Sequence, residues 1–96
     1  MIGVTVTFRY EEGFDPDRVR GIAEAAHGQF EGMPGLRSKA FTVDEEGRQA
    51  LNFYVWESED AARAFFGEEL RARVTGLYGV APEIRFLEIA SLVDNA

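Results

Sequence analysis

Cysteine is absent from the 96 residues, which rules out disulfides, thiolate metal sites and a thiol nucleophile. Histidine occurs once, as His27, so a metal site built from several histidines is excluded as well. No apolar run approaches the roughly 20 residues a membrane-spanning helix needs. The opening segment MIGVTVTFRY alternates in polarity instead of showing the charged-then-apolar order of a secretion signal. Positive charge is scarce: 10 Lys and Arg stand against 17 Asp and Glu, for a net charge of −7. Such a surface repels phosphate backbones and anionic membranes, so neither nucleic acid nor a membrane is expected as a partner. A cytoplasmic protein is the expectation. Lysine is rarer still, with Lys39 the only one, and the sequence by itself gives that residue no role.

What is present is amphipathic throughout. The length suits one domain spanning 1–96, and a core of that size hides only a modest share of the unfolded surface, so association with a partner would help. Residues 3–10 alternate, with Val4, Val6, Phe8 and Tyr10 against Thr5, Thr7 and Arg9, the pattern of a half-buried strand. Asp15-Pro16 is a helix start, the Asp capping and the Pro at the first helical position. Val19, Ile22, Ala23, Ala26 and Phe30 follow at helical spacing, and the helix should end near Glu31-Gly32. A second strand is expected from Leu36 to Val43, an acidic turn at residues 44–47 and a third strand over 48–56. Ser58, Glu59 and Asp60 open a second helix with core positions Ala62, Phe65, Phe66, Leu70 and Val74, ending around Gly76 to Gly79. A last strand is expected from Ile84 to Val93.

The order is β-α-β-β-α-β. It implies an α+β fold of ferredoxin-like type, a four-stranded antiparallel sheet with two helices on one face and the first and third strands central. In the third strand, period two separates Leu51, Phe53 and Val55 from Asn52, Tyr54 and Trp56. The aliphatic set is expected under the helices and the Asn-Tyr-Trp set on the open face. An even-length turn adds Arg37, Lys39 and Phe41 to that open face; a three-residue turn with a bulge would swap the assignment. Phe41, Tyr54 and Trp56 together approach the largest apolar patch usual on a monomer, so a homodimer through the open sheet face is expected, enclosing a lumen for a small hydrophobic or aromatic ligand.

The segments MPGLRSKAF, ALNFYVWESEDAARAFF and EIRFLEIASLVDN resemble the dimeric α/β-barrel superfamily, and within it the YdhR-like monooxygenases related to the antibiotic-biosynthesis monooxygenases. The resemblance covers essentially the whole chain. It implies a dimeric α/β barrel and a cofactor-independent monooxygenase acting on a small aromatic or polycyclic compound, with no cofactor and no metal. Members that form quinones without a cofactor use an Asn and a Trp on the strand before the second helix, and Asn52 and Trp56 match that type and placement. The resemblance therefore implies Asn52 and Trp56 as catalytic residues. Tyr54, Phe41 and Arg9 are the candidate substrate-binding residues. Haem-degrading relatives carry an axial histidine on the second helix, and residues 58–75 contain none, which excludes that reading. The same fold hosts many functions, so the alternative is a non-catalytic small-molecule-binding or dimerisation module. The chemistry would also need a base. The sequence offers His27, read as a helix-surface residue, and Glu88 on the last strand.

Overall fold

The computed structural model describes residues 1–95. Seven elements follow one another: β1 (Ile2–Arg9), α1 (Pro16–Phe30), β2 (Leu36–Asp44), β3 (Gln49–Trp56), α2 (Glu59–Phe65), α3 (Glu68–Tyr78) and β4 (Glu83–Glu88). The strands form one antiparallel sheet in the order β2-β3-β1-β4, with β1 and β3 central. This is the ferredoxin-like α+β fold.

Local chemistry sets most boundaries. Asp15 accepts from the backbone N–H groups of Asp17 and Arg18 and caps α1, and Pro16 occupies its first turn. Between β2 and β3 the chain reverses over residues 45–48, and Asp44 accepts from the Gly47 backbone N–H and the Gln49 side-chain amide. Gly35, at φ +81°, precedes β2, and its carbonyl accepts the Glu57 N–H at 2.9 Å. A Cβ there would lie 3.0 Å from that of Ala61, so turn and helix close only over a glycine.

Two boundaries differ from expectation. The second helix is two helices, broken at Phe66 and Gly67. In a continuous helix successive side chains point about 100° apart. The break lets both Phe65 and Phe66 turn to the sheet, each packing on Tyr54 and Trp56. The last strand stops at Glu88 instead of Val93, because its only partner begins at Ile2, which pairs with Glu88.

The largest correction concerns the faces. In an antiparallel sheet, residues directly opposite one another share a face. Val4 pairs with Tyr54, Val6 with Asn52 and Ile2 with Trp56, so the apolar side of β1 carries Asn52, Tyr54 and Trp56 with it beneath the helices. Tyr54 is 3% and Trp56 2% exposed. The even parity of the β2–β3 turn holds, placing Lys39 and Phe41 opposite Tyr54 and Asn52. Arg37 does not join them: a bulge between Leu36 and Ser38 puts Leu36 opposite Trp56 instead. Leu51, Phe53 and Val55 occupy the open face. There Phe53 is 37% exposed, while Val55 is buried in a recess shared with residues 87–92 of the segment ending β4 and following it.

Candidate functional site

Between sheet and helices lies a cavity of about 330 Å³, within the range of small-ligand sites. Its sheet side is Asn52, Tyr54, Lys39 and Phe41, and α3 contributes Leu70 and Tyr78. Asn52 and Tyr54, expected to face a lumen between two sheets, line this cavity inside the chain instead. Among the described residues the only ionisable basic side chains lining it are Lys39 and Arg73, in a protein of net charge −7. An aromatic wall with two basic groups suits a flat ligand that carries or can acquire negative charge.

Asn52 is 4% exposed on a central strand, where a carboxamide must find partners. Its amide donates to the Tyr78 hydroxyl at 3.3 Å. Tyr78 is fixed in turn: its ring stacks on Phe8 at 3.7 Å with 5° between planes, and its carbonyl accepts the Tyr10 hydroxyl at 2.7 Å. Burial raises the pKa of Tyr78, opposed by the Asn52 hydrogen bond. It raises that of Tyr54 further, with Tyr78 adding to the effect and Arg73 opposing it. Both phenols stay neutral at physiological pH and act as hydrogen-bonding groups.

Lys39 behaves differently. Its Nζ lies 3.4 Å from the centroid of the Phe30 ring, 4.0 Å from Phe41 and 4.4 Å from Tyr54. It has no hydrogen bond or ion pair among the described residues. Burial lowers its pKa from 10.5 to about 7, while the three ring faces favour the cation and oppose that effect. Lys39 is a lining residue that no sequence motif marks. The available signal was its parity with Asn52 across the hairpin.

A lowered amine pKa means the unfolded chain binds more protons than the folded one between about pH 7 and 10.5. Folding stability therefore rises with pH across that window, and the charged amine is a burden below it. Lys39→Met is expected to stabilise the protein by roughly 1–2 kcal/mol at and below pH 7, after discount for partial exposure, and by progressively less toward pH 10. Urea midpoints of both proteins across pH check this; a constant difference would contradict it.

The remaining candidates stand elsewhere. Trp56 does not line the cavity. It sits behind Tyr54, stacked at 6.1 Å with 11° between planes and enclosed by Phe65 and Phe66. Its indole Nε1 is the one buried side-chain polar atom without a partner among the described residues. Arg9 is exposed on the opposite face and ion-paired with Glu83, because its parity is that of Thr5 and Thr7. His27 is exposed on α1, 3.8 Å from Glu31, and borders two outer clefts beside Lys39 and Phe41 but not the cavity. Glu88 lies at the far end of β4, beside Met1, Glu59 and Arg63. No His, Asp or Glu lines the cavity among the described residues.

No protein-family model and no curated protein matches the chain. Solved structures do. A monooxygenase from the ActVA-Orf6 gene of Streptomyces coelicolor, solved with the ligand nanaomycin D, superposes with a TM-score of 0.72 at 24% identity, over 99% of this chain and 92% of that one. SnoaB, a cofactor-independent oxygenase from Streptomyces nogalater, gives 0.67 at 16% identity over 96% and 95%. A dimeric ferredoxin-like protein of unknown function from Thermobifida fusca gives 0.68 at 17% over 92% and 90%. At these identities the likeness establishes the fold. No helix is long and apolar enough to cross a membrane among the described residues.

Proposed function

We propose that the chain is a cofactor-independent monooxygenase of YdhR-like type, oxidising a small aromatic or polycyclic compound inside each subunit of a homodimer. The observation that carries the reading is Asn52, a buried carboxamide at the sheet side of an aromatic cavity. The nature of two structural neighbours, an oxygenase described as cofactor-independent and a monooxygenase holding a ligand, supports it. An electron-rich phenolate or enolate can itself pass an electron to dioxygen if its surroundings stabilise the anion. Asn52 has two amide N–H donors, one directed at Tyr78 and a second for the ligand oxygen. Phe41 and Tyr54 flank the ligand plane. Trp56 acts from behind by fixing the Tyr54 ring, and Arg9 has no part in the site.

Oxygen uptake with anthrone- and quinol-type compounds tests this. The wild type should consume oxygen above the spontaneous rate, and Trp56→Phe should change that rate by no more than about threefold, since the indole does not line the cavity. Absence of uptake across the panel, with compounds still binding, leaves a ligand-binding module in place of an enzyme.

The homodimer reading moves with the corrected faces. Tyr54 and Trp56 are buried beneath the helices, and Phe41 shares their face of the sheet and packs on Phe30 of α1. Phe53 at 37% and Leu87 at 39% exposure, with Leu51 beside them, give the open sheet face its apolar surface, and a second copy would cover it. Light scattering should give the mass of two chains for the wild type and of one for Phe53→Lys. A one-chain mass for the wild type would exclude the dimer.

A further inference from the structure

The oxidation chemistry proposed above lacks one part, a group that removes the ligand's proton, and neither His27 nor Glu88 reaches the cavity. Resting on that reading, we infer that Lys39 is the general base of the cavity: its Nζ takes the hydroxyl proton of an acidic aromatic ligand, a phenol or enol, and then holds the resulting anion as an ammonium. In this step the ligand O–H bond breaks, an N–H bond forms on Nζ, and two neutral groups become an ion pair. No oxidant or further reactant is required.

Geometry carries the assignment. Lys39 pairs directly with Tyr54 across the hairpin, and Phe41, two residues along the same face, pairs with Asn52. Lys39 and Asn52 therefore spring from positions about 7–8 Å apart diagonally on one surface, and both side chains line the same cavity. The amine rests on the faces of Phe30, Phe41 and Tyr54. Ring faces offer it no acceptor oxygen, so a ligand anion meets a cation that no carboxylate among the described residues neutralises. The groups around it fit this role. Tyr54 and Tyr78 stay protonated, and Arg73 on α3 is cationic. Glu24, His27, Glu31 and Arg37 border the outer clefts that Lys39 also lines, with Glu31 3.8 Å from His27. With an amine value of about 7, the neutral base is well populated at physiological pH.

An inward-pointing lysine on an edge strand also has a purely structural use, in discouraging strand addition. A proton count separates the two. Protein is titrated with 1-naphthol without oxygen at about pH 8, above the Lys39 value and below the ligand's own. The naphtholate absorption band and the pH of a weakly buffered solution are followed together. The wild type should show the naphtholate band with almost no proton released, because the proton stays on Lys39. Lys39→Arg, already charged, should show the band with about one proton released per ligand bound. Lys39→Met should lose the band by about tenfold or more. A wild-type titration that ends without the band, or a Lys39→Met protein that keeps it, overturns the assignment. Because oxygen is excluded, failure here is distinct from failure of the monooxygenase reading, which the uptake experiment tests by itself.

Discussion

Replacing Asn52 with alanine should lower oxygen consumption by about 100-fold or more while leaving ligand binding within a few fold. The size follows from what the amide does. A donor aimed at charge that develops during reaction is worth 10²–10³ in rate, whereas binding also draws on Phe41, Tyr54 and the rest of the aromatic wall. Asn52→Ala also leaves the Tyr78 hydroxyl without its donor, so some loss of stability accompanies it, of about 1–3 kcal/mol. Asn52→Asp separates the contributions: it keeps the shape but replaces a donor by a negative charge in the cavity, and should be at least as inactive as the alanine variant. Comparable activity in either variant and in the wild type would remove Asn52 from the chemistry.

Phe8→Ala is expected to have the largest effect on folding, about 3–5 kcal/mol. Phe8 is fully buried on a central strand, and its ring stacks directly on Tyr78. The deletion leaves a void next to the existing cavity, and Tyr78 loses the surface that aligns its hydroxyl with Asn52. Small domains have total stabilities of about 5–15 kcal/mol, so this one change removes a large part of the margin. Urea unfolding gives the value, and a shift below about 1 kcal/mol would show that the Phe8–Tyr78 stack adds little. Phe8→Leu should recover much of the loss in stability but less of the activity, since it fills volume without restoring a flat ring.

Local patterns in the sequence were enough to give the element order, the central position of β1 and β3, the Asp15 cap and the parity of the acidic hairpin. Each depends on residues close together in the chain. Which side of the sheet Asn52 faces depends on the register between β1 and β3, separated by a helix and another strand, and no local pattern fixes it. Leu51, Phe53 and Val55 are the more uniformly apolar set of β3, which by itself favours placing them under the helices. The deciding feature was instead β1, where Val4, Val6 and Phe8 oppose two threonines and have only one place to go. That one reversal also hid Lys39. On an open face a lysine is ordinary; under the helices, against three aromatic rings, it becomes the titratable group of the site. The broken second helix was obscured because Phe65 and Phe66 both fit the helical stripe, and the conformation that turns both inward is not written in their spacing.

Trp56 is the single tryptophan, and its indole N–H meets no oxygen among the described residues. An excited indole emits toward the red only when water or mobile dipoles can reorient around it, and here Tyr54, Phe65 and Phe66 leave no room for that. The folded protein thus contains a blue-emitting fluorophore separated from the cavity by the thickness of one phenol ring. Unfolding moves the emission to longer wavelength, and a quinone seated beside Tyr54 quenches it, so folding and occupancy can be followed in the same cuvette without a label.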